Sequence, residues 1–337
     1  MMVLFRANSC SVTTASDGIC IGALPKRMER TRINEPEGTF AMLSLHNKID
    51  FALIFQVKNA NPNGDPLNGN RPRTDYSGFG EITDVCIKRK IRDRLLEAGH
   101  NILVQADDRK IDNEPSIRSR AESDETGLGK GAFGNHAKKD EIIRKACDKW
   151  FDVRTFGHVF ALTGKKSGGK NKAQPGEADE DDANGVSIPV RGPVTIQSAF
   201  SVEPVSITST QIVKSASGEG DGRKRSSDTM GMKHRIDRKA YYVCFGSMNP
   251  QLAERTGFSD ADAETIKSIL PKLFENDASS ARPEGSMRVE KLVWWKHGSR
   301  AGRYSSAKIH GSLEVHADGT FHLKNLDGFE PEVIDGF

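Results

Sequence analysis

The stretch Ile49–Val57, with the sequence IDFALIFQV, decides the fold of this chain. It is apolar except for Asp50 and Gln56, and a short apolar run bounded by turn formers is typical of a buried strand. The turn formers follow at once, because residues 59–66 read NANPNGDP and are dense in Asn, Gly and Pro. The sequence therefore predicts a buried strand that ends in an irregular loop.

A helix is predicted over residues 83–98. Ile87, Ile91 and Leu95 recur every four residues and therefore lie on one face. The first residue of the range is a threonine, which can cap the helix N-terminus, and Gly99 can end the helix. The helix should pack its apolar face against the buried strand.

The same helix carries a cluster of basic residues, which are Lys88, Arg89, Lys90, Arg92 and Arg94. Lys88 and Arg92, four residues apart, share one flank of the apolar face, where long side chains can reach past the helix. Arg89 and Asp93 lie on the far face and can pair with each other. A basic face that is merely solvated gives the same pattern, so the helix alone leaves both interpretations open.

Other segments complete the pattern of elements. Helices are predicted over about 138–151 and 259–276, strands over 188–196, 241–246 and 289–295, and a hairpin over 313–324 around Asp318-Gly319. Strand, helix, strands, helix, strand and hairpin in this order predict an α+β domain, with an antiparallel sheet covered by helices.

Three segments lie outside this pattern. Residues 121–136 and 164–185 are rich in Gly, Lys, Asp and Glu, a composition that is not expected to fill a core. Residues 1–44 show no sustained periodicity, and Met42 lies just before the first strand. We predict that residues 1–44 are a disordered or mis-started extension and that residues 45–337 form one domain with inserted segments.

The composition has no overall charge bias. Of 337 residues, 36% are hydrophobic, and 49 Lys and Arg stand against 46 Asp and Glu. This balance does not by itself indicate nucleic acid, so a basic surface must come from local clustering. The five cysteines show no CxxC spacing, and no apolar run approaches the roughly 18 residues of a membrane span. We expect a cytoplasmic protein without membrane contact.

The loop after the first strand carries donors for an anion. Phosphate oxygens accept hydrogen bonds from amides such as those of Asn61 and Asn63 and from guanidinium groups such as those of Arg71 and Arg73. A helix N-terminus follows, and its free N–H groups favour anions. The order strand, loop, basic helix predicts a surface that follows a phosphate backbone.

A basic segment at residues 214–239 is the second such signal. Its charged residues, interrupted by Gly and Ser, are Lys214, Arg223, Lys224, Arg225, Lys233, His234, Arg235, Arg238 and Lys239. Such a segment is flexible alone and can order against a polyanion. Met230 can act there as an apolar wedge between stacked bases, or it can pack beneath the segment. The residues leave both interpretations open.

No metal or cofactor site is predicted. Asp65 and Asp75 are acids that could share a metal ion, but an aspartate in an Asn-Pro-Asn-Gly-Asp-Pro turn is more typical of turn capping. The nine histidines show no HExxH spacing. His316 and His322 are expected to be surface groups of the hairpin. The residues therefore predict no catalytic centre.

Several longer motifs, in one order, resemble a known family. They are residues 59–66, 82–92 (ITDVCIKRKIR), 152–157 (DVRTFG), 191–194 (RGPV) and 229–234 (TMGMKH). Together they resemble the Cas-seven backbone family of type I CRISPR interference complexes. Residues 252–260 (LAERTGFSD) resemble its type I-C branch. The resemblance runs from about residue 46 to about residue 310.

The resemblance implies an RNA-recognition-motif-like palm with finger and thumb insertions, and a non-catalytic role. Copies would polymerise along CRISPR RNA and present it for pairing with target DNA. Each thumb would insert over the neighbouring copy's stretch of guide. The implied partners are CRISPR RNA, target DNA, further copies of the chain, a Cas-five-type subunit and a large subunit.

The resemblance also assigns residues. The guide path would be lined by Asn61, Asn63, Arg71, Arg73, Lys88 and Arg92, with Arg191 near it at a strand end. The thumb, about residues 206–239, would carry Lys233, His234 and the wedge Met230.

Two alternatives have different consequences. Members of the broader backbone family in type III systems cut target RNA with a loop aspartate, for which Asp65 or Asp75 would be the candidates. A generic single-stranded RNA-binding module would bind random RNA without forming filaments.

Overall fold

The fold is built from an antiparallel sheet and the helices that cover it. The computed structural model describes residues 44–133, 138–162, 186–213 and 229–337. The strands are β1 (Ile49–Lys58), β2 (Gly64–Asp65), β3 (Arg71–Pro72), β4 (Phe79–Ile82), β5 (Gly157–Leu162), β6 (Val186–Arg191), β7 (Val194–Ile196), β8 (Ala199–Pro204), β9 (Ile207–Val213), β10 (Thr229–Ile236), β11 (Lys239–Met248), β12 (Met287–Lys296), β13 (Leu313–Val315), β14 (Phe321–Leu323) and β15 (Glu332–Asp335).

Some of the helices cover this sheet, and others belong to a smaller inserted module that is described below. They are α1 (Asp84–Glu97), α2 (Ile117–Glu122), α3 (Lys139–Lys149), α4 (Phe151–Phe156), α5 (Pro250–Thr256), α6 (Asp260–Ile269) and α7 (Ser306–His310). None of the helices in the described ranges is long and apolar enough to cross a membrane.

The main sheet has the strand order β15-β12-β1-β11-β8-β4, and β7 pairs with the other end of β11. All of these pairings are antiparallel. Four neighbouring strands of this sheet, β12, β1, β11 and β8, occur along the chain with α1 and α6 in the order β1, α1, β8, β11, α6, β12. The mixed α/β architecture with a mainly antiparallel sheet is as the sequence predicted, whereas the assignment of palm, finger and thumb stays a prediction.

The central strand β1 is covered on both faces. Phe51, Leu53 and Phe55 belong to a core cluster with residues of α1 and α6, and Ala52 and Ile54 belong to another with residues of the C-terminal segment. Two-sided burial explains why the sequence of β1 lacks polar alternation. Both faces of this part of the sheet are therefore occupied by protein and are not open to a ligand.

Two helix predictions are confirmed at their N-termini. The Thr83 hydroxyl accepts a hydrogen bond from the Cys86 N–H at 3.3 Å, so Thr83 caps α1. A capping box joins Ser259 and Asp262 at the start of α6. The end of α6 was predicted too late, because a 3-10 turn replaces the helix at Leu270–Lys272. Pro271 accounts for this, since a proline has no backbone N–H and cannot donate the next hydrogen bond of an α-helix.

The inserted module, made of α2 to α4 with β5 and β6, has its own core around Trp150 and Phe160. The prediction that residues 121–136 fill no core was wrong, because Ala121 is buried there and Leu128 and Phe133 pack against the same cluster. Three apolar side chains are enough to attach this otherwise polar segment to the core of the module. The helix predicted over about 138–151 is confirmed as α3, which ends at Lys149, because the backbone of Trp150 is extended between α3 and α4.

Strands β9 and β10 pair in a two-stranded antiparallel sheet separate from the main sheet, and we call this pair the arm. β9 is rich in β-branched residues, which favour an extended backbone. The register shifts between Thr229 and Gly231, where Gly231 has a φ of +149°. The described residues do not include 214–228, the predicted insert 164–185 or the predicted extension up to residue 43.

The predicted C-terminal hairpin is confirmed as β13 and β14, which pair with Glu314 opposite His322. His316 and His322 are exposed, as predicted.

Candidate nucleic-acid interface

The loop that follows β1 lies against the base of the arm. The Asn59 N–H donates to the Arg238 carbonyl at 3.0 Å, and the Ile236 N–H donates to the Ala60 carbonyl at 2.9 Å. Asn59 and Arg238 both have positive φ, at 51° and 59°, which is uncommon for residues with a side chain. The two regions that the sequence predicts to bind phosphate are thus adjacent.

A hydroxyl group connects these two regions through side chains. Nη2 of Arg71, on β3, donates to Oγ of Ser209, on β9, at 3.1 Å. The same Oγ lies 2.8 Å from Nδ1 of His234, which is directly opposite Ser209 on β10. The structure therefore brings together Arg71 and His234, one predicted residue from each region. Ser209 carries no charge, and nothing in the sequence distinguished it.

Lys233, which was also predicted to bind the guide from the arm, points elsewhere. Lys233 pairs with Thr210 and not with Ser209, so its side chain lies on the opposite face of the arm from His234. Met230 lies at the register shift, and its side chain is outside the described part of the chain. Its role as a wedge stays a prediction.

The base of the arm holds like charges close together. Lys58 and Lys239 are exposed and directly opposite each other where β1 pairs with β11. Like charges at such a position are destabilising, a cost that a bound anion would relieve. Nζ of Lys239 donates to the Tyr241 hydroxyl at 2.8 Å, and Arg238 is 91% exposed beside them. Lys58 was missed because the strand prediction ended at Val57.

The two loop asparagines use their amides within the chain. Asn61 is only 3% exposed, and its Nδ2 donates to the Asn70 carbonyl at 2.7 Å. Oδ1 of Asn63 accepts hydrogen bonds from the N–H and the hydroxyl of Thr83, both at 3.0 Å. Both residues therefore hold the loop in shape, and Asn63 fastens it to the start of α1. Among the loop cations, Arg71 is exposed and Arg73 is partly exposed.

The N-terminus of α1 is not a free anion site. Thr83 caps it, and Asp84 adds a negative charge in the first turn. Lys88 pairs with Asp84 at 2.9 Å. An incoming phosphate would be repelled by Asp84, so the prediction of a free helix N-terminus was wrong.

Arg92 has a partner inside the protein. Its Nε lies 3.1 Å from Oδ2 of Asp152, and its side chain is 14% exposed. Asp152 is buried and also accepts the N–H groups of Leu103 at 2.8 Å and Val104 at 3.1 Å. This arrangement joins α1 to the inserted module, and it turns Arg92 away from the flank on which the sequence placed it with Lys88.

The residues on the far face of α1 belong to an ion-pair network that also includes Lys90 beside the apolar face, so the far face is not simply solvated. Arg89 pairs with Asp93 as predicted, but Asp93 is buried. Lys90 is 1% exposed and pairs with Asp277, which Nε of Arg282 also approaches at 3.1 Å. Burial would raise the pKa of Asp277, but the charges of Lys90 and Arg282 outweigh it and hold that pKa below its usual value.

The segment that follows this network contacts the loop after β1. It bonds to the loop through its backbone, because the Asn61 N–H donates to the Ala281 carbonyl at 2.9 Å. The Lys58 N–H likewise donates to the Ser286 carbonyl at 2.7 Å. The segment after Asp277 therefore holds the loop where it leaves β1.

The two loop aspartates cap turns. Oδ1 of Asp65 accepts the Leu67 N–H at 3.2 Å and pairs with Arg73 at 3.4 Å. Oδ1 of Asp75 accepts the N–H groups of Ser77 and Phe79, both at 2.9 Å. No group of three side chains able to hold a metal ion occurs in the described ranges.

Arg191 lies apart from the loop and the arm. It ends β6 just before β7, which pairs with the Met248 end of β11, whereas the loop and the arm meet at the Lys239 end. At about 3.3 Å per residue the two ends are roughly 30 Å apart. Arg191 lines a cavity of about 530 Å³, together with Asp140, Ile143, Arg144, Pro189, Val190, Glu254, Arg255 and Thr256.

Comparison with solved structures finds chains from CRISPR complexes. A chain of a structure described as "CRISPR RNA-guided surveillance complex, pre-nicking" has a TM-score of 0.42 and 14% identity, covering 74% of this chain and 78% of that one. A chain of a second "CRISPR RNA-guided surveillance complex" has a TM-score of 0.40 and 14% identity, covering 81% and 77%.

Sequence comparison gives the family. CRISPR-associated protein Cas7 of Haloferax volcanii is 25% identical over 300 residues, which cover 86% of this chain and 81% of that relative. The family model of CRISPR-associated protein Cas7 matches residues 47–331, which is most of the chain. The chain therefore belongs to the Cas7 family of CRISPR-associated proteins.

Proposed function

We propose that this chain is a non-catalytic backbone subunit that binds CRISPR RNA by its phosphates and presents it for pairing with target DNA. Copies polymerise along the guide, and the arm acts as the thumb that reaches the neighbouring copy. A Cas-five-type subunit and a large subunit complete the complex, which we assign to type I-C from the motif at residues 252–260. Membership of the Cas7 family supports this proposal.

The contact from Arg71 through Ser209 to His234 carries the proposal. It unites the loop and the arm in one surface, to which the adjacent cations Lys58 and Lys239 contribute. Charged donors of this kind bind any ribose-phosphate strand, because phosphate contacts carry no sequence information. Specificity is then left to base pairing between guide and target.

Purification with and without co-expressed CRISPR RNA tests the proposal. We expect a ribonuclease-resistant particle of high mass only when the guide is present, with a mass that increases when the guide is lengthened. Guides with unrelated spacers should give the same particle. Recovery of the chain without RNA in every preparation would overturn the proposal, and binding of random RNA without a high-mass particle would favour a generic single-strand-binding module.

The two predicted residues on the flank of α1 should behave differently. Lys88→Ala should weaken guide binding and lower the salt slope by roughly 0.7, the value for one phosphate on a single strand, with unchanged stability. Arg92→Ala should instead lower the free energy of unfolding by about 1–3 kcal/mol, because it leaves the buried carboxylate of Asp152 short of a donor. Affinity measured across a salt series, and urea unfolding of each variant, separate the two outcomes.

Equal loss of guide affinity in both variants, with unchanged stability, would show that Arg92 contacts the guide as Lys88 does.

The type III-like alternative, cleavage of target RNA by Asp65 or Asp75, gains no support from the geometry, because both carboxylates are engaged as turn caps.

A further inference from the structure

The hydroxyl of Ser209 is shared by two side chains, one on the loop and one on the arm. A guanidinium group can only donate, so the Arg71 Nη2 contact at 3.1 Å makes Oγ of Ser209 an acceptor. The hydroxyl proton is then free to point at Nδ1 of His234, 2.8 Å away. Oγ has a second lone pair and can also accept from Nδ1, so both tautomers of the ring can make this contact.

One of the two tautomers of neutral His234 can serve a ligand. When Nδ1 accepts the serine proton, Nε2 carries the hydrogen of the ring and is the nitrogen that can donate to a ligand. Arg71 gives one of its five N–H groups to Ser209, and the others stay able to bind a phosphate. Ser209 thereby leaves a donor on the loop and a donor on the arm available for the same strand.

We infer that Ser209 is a positioning residue, which sets the arm against the loop and orients His234 for guide binding. This inference rests on the proposed function and adds to it the residue that couples the two binding regions. Without the hydroxyl, the arm would keep its backbone hydrogen bonds to the loop, but the side chains of Arg71 and His234 would lose their common partner.

Substitutions at Ser209 test the inference directly. The residue is exposed on a strand, so Ser209→Ala should leave the fold and the melting temperature unchanged. We expect Ser209→Ala to lower guide affinity about 3- to 10-fold, as the loss of one typical intramolecular hydrogen bond would. Ser209→Thr, which keeps the hydroxyl, should restore most of it. Thr210→Ala, next along β9 but on the opposite face, is the matched control and should bind as the wild type does.

A mutant cycle distinguishes positioning from a general effect on the arm. Arg71→Ala and His234→Ala should be non-additive in the wild-type background, with a coupling of about 3- to 10-fold, because contacting residues in one network couple. In the Ser209→Ala background the two changes should become additive. His234→Gln, which can place an N–H near the position of Nε2, should retain more affinity than His234→Asn.

The outcomes separate this inference from the proposed function. Additive effects in both backgrounds, or wild-type affinity of Ser209→Ala, would overturn the role of Ser209 while the chain still binds its guide. Failure of the unmodified chain to bind any guide would overturn the proposed function itself.

Discussion

Replacing Asp277 with Ala is expected to lower the free energy of unfolding by about 3–5 kcal/mol, because it leaves a buried ammonium group without its counter-charge. Lys90 is almost completely buried, so water cannot take the place of the carboxylate. Arg282 and Arg89 would lose the same partner. Urea unfolding of the purified chain at neutral pH measures the effect.

Two further variants show whether the loss of stability in Asp277→Ala comes from the unpaired charge of Lys90. Lys90→Met/Asp277→Leu should recover most of the stability, because a buried ion pair can often be replaced by apolar residues of similar volume. Asp335→Ala removes an exposed partner of Lys291 and should change little. Wild-type stability of Asp277→Ala would show that the ammonium group is not confined as the geometry requires.

The stability at acid pH provides a second test of the Lys90–Asp277 ion pair. The pKa of Asp277 is held below its usual value, so the stability it contributes is complete above about pH 4 and is lost as the pH falls through the lower native value. The wild type should therefore lose stability more steeply below about pH 4 than Lys90→Met/Asp277→Leu does.

The network around Lys90 shows where sequence reasoning reached its limit. Lys90 lies three residues after Ile87, so helical spacing places it beside the apolar face. Its burial nevertheless depends on Asp277, which lies far away along the chain, and a single sequence gives no indication of that pairing. The basic cluster of α1 was visible, but the division of its members between internal pairs and the surface was not.

Local patterns predicted the elements that local chemistry determines. The apolar run of β1, the spacing of Ile87 and Ile91 in α1, and the capping box at Ser259 each act over a few residues, and each is confirmed. The ends of helices were less certain, because burial of Trp150 interrupts one helix and Pro271 shortens another. The order of strands in the sheet depends on long-range pairing and could not be predicted residue by residue.

The candidate interface was predictable in its charges and not in its connections. Runs of Arg and Lys marked the loop and the arm, because clustered charge is visible in a sequence. Ser209 is one hydroxyl among many, and only the register of β9 with β10 places it opposite His234 and within reach of Arg71. Arg191 shows the converse. It is a basic residue at a strand end, as predicted, but it lies near the Met248 end of β11, and the loop lies near the Lys239 end, roughly 30 Å away along the strand.

Reversing the charge at Arg71 should have the largest effect on guide binding. Arg71 is exposed, and its link to Ser209 directs the guanidinium towards the arm. A hydrogen bond to a charged group contributes about 1.5–3 kcal/mol, so Arg71→Glu should weaken guide binding by roughly 10- to 100-fold, similarly for unrelated spacers. Arg71→Lys should lose part of the affinity, because an ammonium group lacks the fork that can serve Ser209 and a phosphate together.

The salt dependence provides the decisive measurement for Arg71. Arg71→Ala removes one phosphate contact and should reduce the slope of log affinity against log salt by roughly 0.7. Lys145→Glu is the matched charge reversal, because Lys145 is exposed on α3 and pairs only across one helical turn with Glu141 in the contacts described. It should leave the affinity unchanged. If Arg71→Glu and Lys145→Glu weakened binding equally, net charge alone would explain guide binding, and the loop and the arm would not form a specific interface.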